Sequence, residues 1–175
     1  MTKKEIYVYA DWHKIGGPKL VGVLASEMLR GKEIFSFEYD SAWLSSDLVQ
    51  ILDPDLQLYT GPQYLNDTEK HNFGMFLDSS PDRWGRVLMQ RKEAAEARLQ
   101  ERKPIKLYET DYLLGVYDEH RMGGLRFKTN EKGPFLSNDK YKATPPWTSI
   151  RELEQISLKL EEEGVVNDSD YLDWL

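Results

Sequence analysis

The sequence predicts an α+β fold in which a small antiparallel sheet, curled and barrel-like, precedes a mainly helical part. The first sixty residues contain short runs in which apolar or aromatic residues recur at every second position. Farther along, apolar residues recur at helical spacing behind a Ser-Pro-Asp start signal at 80–82. We therefore expect a β subdomain over residues 1–65 and a helical or mixed subdomain, with one or two further strands, over residues 66–175.

The N-terminal part contains three predicted strands, over residues 6–12, 21–24 and 33–39. The third strand carries aromatic side chains at alternate positions, which predicts an aromatic inner face for the sheet: Phe35, Phe37 and Tyr39. Gly31 lies in the short link before this strand, and a short Gly-containing link is a hairpin signal. Residues 47–52 are predicted to form a short helix or a turn.

Two short helices are predicted in the middle of the chain, over residues 66–76 and 110–116. Asn66 is followed three residues later by Glu69, which is the spacing of a capping box. Residues 125–128 alternate again after a flexible Gly-containing turn and are predicted to form a strand.

A longer helix is predicted to begin after Ser80 and to run to about Arg102. Ser80 is placed to cap the free N–H groups, Pro81 suits the first helical position, and Asp82 suits the positive helix end. The helix should stop before Pro104, because proline disfavours the helical conformation of the residue that precedes it.

The last predicted helix spans residues 149–163. Ser149 and Glu152 form a second capping box, and Gly164 ends the apolar pattern. The last 25 residues contain 2 basic and 8 acidic residues, so most of the chain's net charge of −7 lies there.

Composition and length exclude several classes of protein. The chain has 175 residues and no cysteine, which excludes a disulfide scaffold, a thiol nucleophile and any Cys-ligated zinc or iron–sulfur site. The N-terminus lacks the apolar core of a signal peptide, and no window approaches the roughly 18 apolar residues of a membrane span. We therefore expect a cytoplasmic protein without a membrane partner.

The segment 83–106 is basic although the chain has a net negative charge. It contains eight basic and three acidic residues. A local charge of +5 suits an acidic partner or a phosphate backbone. The same pattern is typical of a solvated helix face with ion pairs at i,i+3 and i,i+4 spacing. No aromatic residues alternate with the bases, which favours the solvated face.

Common catalytic motifs are absent from the sequence. It contains no Walker-A loop, no GxGxxG, no HExxH and no GxSxG. The histidines are far apart and lack metal-ligand spacing: His13, His71 and His120. The pair Gly123 and Gly124 suits an anion cradle or, more simply, a turn.

The segment at 78–86 is the part richest in chemical groups. Asp78 and Asp82 offer carboxylates for a metal, as in a metal phosphoesterase, and Arg83 and Arg86 offer guanidinium groups for a phosphate. Helix capping, which already accounts for Asp82, is the simpler interpretation. Composition and spacing alone therefore indicate an α+β domain without an assigned activity.

A resemblance to a known protein family gives a more specific prediction than composition and spacing do. Residues 73–86, FGMFLDSSPDRWGR, resemble a signature of the HipA family, the serine/threonine kinase toxins of bacterial type II toxin–antitoxin modules. Residues 111–116, DYLLGV, and 121–127, RMGGLRF, resemble the next block of that family, with Gly124 where alanine is frequent. The N-terminal strands and the helix at 149–163 also fit the family's N-terminal region.

The resemblance implies the N-terminal portion of a HipA-like kinase, without its catalytic core. Phosphoryl transfer needs a phosphate-covering loop, a lysine and metal-binding acidic residues, and in this family they follow the region that this sequence resembles. No catalytic, cofactor-binding or metal-binding residue is therefore expected here, and ATP and Mg²⁺ would belong to the kinase lobe. The chain is expected to be either a shortened piece or a separately encoded half.

The expected role is that of a regulatory interaction domain. Its expected partners are the kinase lobe, in cis or in trans, and a helix-turn-helix antitoxin, with DNA reached only through that antitoxin. The alternative is a separately encoded subunit that binds and neutralises a HipA-like kinase. The candidate interaction or family-motif residues are Asp82, Arg83, Trp84, Arg86, Arg91, Arg98, Arg121 and Trp174.

Overall fold

The computed structural model describes residues 3–65 and 69–136, and these residues form an α+β fold. The described residues include one sheet of five strands in the spatial order β4-β3-β2-β1-β5, with every neighbouring pair antiparallel. The strands are β1 (Lys4–Ala10), β2 (Lys19–Leu29), β3 (Lys32–Tyr39), β4 (Gln63–Tyr64) and β5 (Leu125–Lys128). The predicted α+β class and antiparallel sheet are confirmed, and the sheet is open rather than closed into a barrel.

Four α-helices accompany the sheet within the described residues: α1 (Ser41–Leu44), α2 (Gly74–Asp78), α3 (Arg83–Leu99) and α4 (Glu109–Gly115). A single 3₁₀ turn, Asp118–His120, leads from α4 towards β5. In the described part of the chain, no helix combines the length and the apolar character that crossing a bilayer requires.

The predicted hairpin between β2 and β3 is present. Arg30 and Gly31 form its two-residue link, with φ angles of 51° and 80°. Two consecutive positive φ angles match the twist of the flanking strands, and glycine adopts such an angle without strain.

The core lies against the face of the sheet that the aromatic alternation predicts. Phe35, Phe37 and Tyr39 of β3 are all buried, as the sequence indicates. Phe37 and Tyr39 pack edge to face with ring centroids 5.0 Å apart, and Phe76 of α2 lies 5.6 Å from Phe37. The aromatic rings therefore join the sheet to helix α2.

The two halves of the described chain share this core. Strand β5 pairs with β1 although about 115 residues separate them in sequence, with Phe127 opposite Val8. Phe127 and Val8 are fully buried, as is Leu113 of α4. Residues of both predicted subdomains therefore contribute to one apolar cluster, while the boundary after residue 65 stays a prediction.

The helix predicted over 66–76 is wrong for its described part. Residues 69–73 are not helical, and α2 begins only at Gly74. The reason is a contact distant in sequence, because the buried Asp53 accepts a hydrogen bond at Oδ2 from the N–H of Met75, at 2.8 Å. This carboxylate caps α2 from 22 residues upstream, and Asn66 lies outside the described residues.

The prediction that Ser80 caps the long helix is also wrong. The N-cap of α3 is Asp82, whose Oδ1 accepts a hydrogen bond from the N–H of Gly85 at 2.8 Å. The Ser80 hydroxyl instead donates to the carbonyl of Phe76 at 2.7 Å and so serves the end of α2. Pro81 precedes the helix rather than occupying its first position.

The other predicted helix ends differ from the structure by small amounts. Helix α3 ends at Leu99 rather than near Arg102, and Glu101 adopts a positive φ of 51° that does not continue a helix. The helix predicted over 110–116 is confirmed as α4, which begins one residue earlier. The segment 47–52 contains only a turn, whereas the helix α1 lies before it. The helix predicted over 149–163 lies outside the described residues.

Candidate interaction site at Arg121 and helix α3

Arg121 is a buried side chain at the junction of three elements, and only 8% of it is exposed. Its Nη1 donates to the carbonyls of Ser79 and Leu113, each at 2.8 Å, and its Nη2 donates to the carbonyl of Val116 at 3.0 Å. Ser79 is the C-cap of α2, and Leu113 and Val116 lie at the end of α4. One guanidinium group therefore binds carbonyls at the C-terminal ends of two short helices, which lack intrahelical partners.

The same side chain reaches the sheet. The guanidinium carbon of Arg121 lies 4.6 Å from the ring centroid of Phe127 on β5, within the range of a cation–π contact. The three segments 73–86, 111–116 and 121–127, which carry the family resemblance, thus meet at one residue.

Burial lowers the pKa of Arg121 to about 10, and the nearby Asp118 carboxylate partly opposes that shift. The guanidinium group therefore keeps its charge at neutral pH. Its Nη donors point to protein carbonyls, so Arg121 holds the local structure together instead of presenting a charge to the surface.

The start of α3 places three predicted residues next to one another. Asp82 caps the helix, Arg83 is exposed and Trp84 has 45% of its surface exposed. Gly85 follows, and a Cβ atom there would lie 2.7 Å from the Cβ of Pro81, so this turn requires glycine for close packing. The Asp82 carboxylate is thus the N-cap of α3, the role that the sequence interpretation gave to Ser80.

Arg86 joins α3 to α4. Its Nη1 and Nη2 donate to the two carboxylate oxygens of Glu109 at 2.6 and 2.8 Å, and its guanidinium carbon lies 4.7 Å from the ring centroid of Tyr112. The hydrogen bonds to Glu109 raise the pKa of Arg86 above its ordinary value. This guanidinium group is paired within the fold, in the bidentate geometry that arginine favours.

Arg102 is a second base of the segment 83–106 that is paired. It donates to both carboxylate oxygens of Glu93, at 2.5 and 3.1 Å. These hydrogen bonds, together with that from the N–H of Ile105, lower the pKa of Glu93 to about 2. Part of the predicted basic surface is therefore neutralised by contacts within the chain.

The remaining predicted residues of α3 form an exposed stripe. Trp84, Arg91 and Arg98 are spaced seven residues apart, so they lie on one side of the helix, and all three are exposed. Arg91 and Arg98 also take part in contacts within the chain. We call these three residues the α3 stripe.

Side chains of the types that bind metals do not cluster in the described part of the chain. Across residues 3–65 and 69–136, no group of three or more His, Cys, Asp or Glu side chains is arranged to hold a metal ion.

Sequence reasoning missed the acidic residue that positions α4. Glu33 of β3 accepts hydrogen bonds from the backbone N–H of Thr110, at 3.2 Å, and from the Thr110 hydroxyl group. The two residues are 77 positions apart, so no local pattern indicates the contact. Asp111 completes the helix start locally, because its Oδ2 accepts from the N–H of Tyr108 at 2.9 Å.

The structure thus brings Asp82, Trp84 and Arg86 together at the start of α3. Arg121 lies at the C-terminal ends of α2 and α4. Trp174 lies outside the described residues. Compared with protein-family models, curated proteins and solved structures, the chain matches none of them.

Proposed function

We propose that this chain is the non-catalytic N-terminal portion of a HipA-like serine/threonine protein kinase toxin, acting in the bacterial cytoplasm. It packs against the kinase lobe, regulates it and contacts a helix-turn-helix antitoxin. The observation that supports this proposal is the position of Arg121, which lies in one of the three segments that resemble the family and contacts residues of all three. Those segments act as one structural unit in this fold, which supports interpreting the resemblance as a shared architecture.

The α3 stripe is the proposed contact surface for the kinase lobe. Tryptophan and arginine are the residues most enriched at the energetic centres of protein interfaces. Trp84 exposes 45% of its surface beside the exposed Arg83, and such an exposed ring gains stability when a partner covers it. A partner surface that combines apolar side chains with carboxylates fits this stripe.

A binding measurement with separately expressed partners tests the proposal. We expect the 175-residue chain to bind, at micromolar concentration, a HipA-like kinase lobe encoded at the same locus. Trp84→Ser should weaken this binding about tenfold or more, as for the loss of a central aromatic contact. Lys19→Glu, an exposed change at the start of β2, should leave the affinity unchanged.

Three outcomes of that experiment carry different conclusions. Lack of binding to both the lobe and the antitoxin would contradict the proposal. Equal effects of Trp84→Ser and Lys19→Glu would contradict the placement of the contact on α3. Loss of kinase activity when the separate chain binds, with the lobe encoded in an adjacent reading frame, would favour the neutralising subunit over the N-terminal portion of one kinase.

The non-catalytic role is tested with ATP and Mg²⁺. A ligand at a concentration of about 100 times its Kd stabilises a protein by about 2.7 kcal/mol. We expect the thermal unfolding temperature of the isolated chain to stay unchanged on addition of ATP and Mg²⁺. A saturable increase would show that this chain binds nucleotide and would contradict the proposal.

A further inference from the structure

A cavity of about 380 Å³ lies between the end of α2, the segment after β1 and the turn before β5. Its volume is within the roughly 300 to 1,000 Å³ range of ligand pockets. The described residues that matter for its chemistry are Trp12, Met75, Asp78, Ser79, Met122 and Gly124.

One wall of the cavity is apolar and well supported. The ring of Trp12 packs edge to face on the buried Trp43, with centroids 6.1 Å apart. Gly124 also lies close to Trp12, because a Cβ atom there would be 2.8 Å from Cε3 of Trp12. Met122 adds a long apolar side chain that is 80% exposed. The fold thus holds the Trp12 ring in place and leaves Met122 accessible to a partner.

The charge of the cavity is negative. Asp78, the last residue of α2, is exposed, and among the described residues no side chain pairs with its carboxylate. The Ser79 hydroxyl donates to the carbonyl of Met75 at 2.8 Å and is not available as a donor. The guanidinium group of the adjacent Arg121 is directed to backbone carbonyls. Asp78 is therefore the one charged group among the described residues that line the cavity.

The apolar wall and the single carboxylate restrict the kind of ligand that fits the cavity. A phosphate or another anion would be repelled by Asp78, and a divalent metal would find one carboxylate where it needs several oxygen ligands. A long side chain with an apolar stem and a cationic end matches both the wall and the charge. Guanidinium groups stack on tryptophan rings and pair with both oxygens of a carboxylate, which an ammonium group does not.

We propose that this cavity is a docking site for an arginine side chain of a partner protein. The stem lies along Trp12 and Met122, and the guanidinium group binds the Asp78 carboxylate. The site goes beyond the proposed function, because a peptide test of it involves neither a kinase lobe nor an antitoxin. Failure of that test therefore leaves the proposed function standing, and its success does not establish the kinase family.

The test is an NMR titration of the isotope-labelled full chain with blocked tripeptides of the form acetyl-Gly-X-Gly-amide. With X as arginine, we expect saturable shifts of the indole N–H signal of Trp12 and of the methyl signal of Met122. With X as norleucine, which keeps the stem and lacks the charge, the affinity should be about fivefold lower, as for the loss of an exposed ion pair. The affinity of the peptide with X as lysine should lie between those of the arginine and norleucine peptides.

A matched pair of variants tests whether the Asp78 carboxylate causes the preference for arginine. Asp78→Asn should reduce the affinity for the arginine peptide to that of the norleucine peptide. Asp47→Asn, an equally conservative change at an exposed aspartate outside the cavity, should leave it unchanged. Equal affinity of the three peptides, equal behaviour of the two variants, or shifts that map away from Trp12 and Met122 would each overturn the proposal.

Discussion

The sheet and helix α3 are stabilised by different kinds of contact. The inner face of the sheet is apolar, and several of its side chains, such as Val8 and Phe37, have no exposed surface. Helix α3 buries only Ala95 and Ala97 among its 17 residues and is anchored largely through charged or polar side chains such as Arg86. We therefore expect the sheet to supply most of the stability, whereas α3 leaves Trp84, Arg91 and Arg98 exposed.

Arg121 joins the sheet to the C-terminal ends of α2 and α4, and replacing it should have the largest effect. Arg121→Met removes the donors to the buried carbonyls of Ser79 and Leu113 and to the partly buried carbonyl of Val116. We expect the free energy of unfolding to fall by about 4 kcal/mol, since each unpaired buried acceptor costs about 1 to 3 kcal/mol and relaxation recovers a part. Urea denaturation measures the change.

A second variant, Arg121→Lys, separates the role of the charge from that of the hydrogen bonds. Arg121→Lys keeps the charge but has no planar fork to bind three carbonyls, so it should restore less than half of the loss. A loss below about 1 kcal/mol for Arg121→Met would show that Arg121 is not what joins the helix ends to the sheet.

Within the sheet, Gly22 has no room for a Cβ atom. A Cβ atom at Gly22 would lie 2.2 Å from the carbonyl oxygen of Glu38 and 2.7 Å from Cζ of Phe37. The nearest obstacle is backbone, which cannot move aside without disturbing the pairing of β2 with β3. We expect Gly22→Ala to destabilise the protein by about 3 kcal/mol, the upper end of the range for overpacking.

A change at an exposed position of the same strand is the control. Glu27→Ala on β2 should stay within about 0.5 kcal/mol of the parent protein in the same urea titration. Similar losses for both variants would mean that substitutions along β2 are destabilising in general, and not that Gly22 is a point of close approach.

The contact between α3 and α4 should have a smaller, salt-dependent effect. A double-mutant cycle with Arg86→Met and Glu109→Gln isolates the energy of the bidentate pair. We expect a coupling energy of about 1.5 kcal/mol, which is typical of hydrogen bonds to charged groups. The coupling should decrease in 1 M salt, because the pair is only partly buried. A coupling near zero would contradict an ionic anchor for α3.

Acid should remove the stabilising contact between Glu93 and Arg102 at the C-terminal end of α3. The pKa of Glu93 is lowered from 4.5 to about 2 by its bonds to Arg102 and to the N–H of Ile105. A carboxylate whose pKa is lower in the folded state stabilises the fold above its unfolded pKa. This contribution is complete above about pH 4.5 and is lost as the pH falls to about 2.

Comparing the parent protein with Glu93→Gln isolates that contribution from other carboxylates. We expect the difference in unfolding free energy between them to be constant above pH 5 and to shrink between pH 4.5 and 2. A difference that does not change with pH in that window would show that the Glu93–Arg102 pair adds no stability.

The comparison also explains what could be predicted from the sequence. The β3 strand and its aromatic face follow from side-chain alternation, which is a local property of the chain. The cap of α3 was misplaced by two residues, since Ser80 and Asp82 are both good capping residues and sequence alone does not rank their geometry. The start of α2 was wrong because its cap, Asp53, lies on a distant segment.

The candidate site was predictable only in part for a related reason. The spacing of Trp84, Arg91 and Arg98 places them on one helix face, which the structure shows as an exposed stripe. The role of Arg121 was hidden, because its partners are backbone carbonyls and carbonyls leave no signature in the sequence. The contact of Glu33 with Thr110 was equally hidden, since it joins a strand to a helix 77 residues away.

Hydrogen exchange of the full chain, alone and with the HipA-like kinase lobe of the same locus, shows which surface the partner covers. We propose that α3 makes the partner contact and that the sheet supports it. We expect the amides of Arg83–Leu99 to exchange more slowly in the complex, while those of β2 and β3 exchange at an unchanged rate. Slower exchange confined to the sheet, with α3 unaffected, would contradict a partner contact on α3.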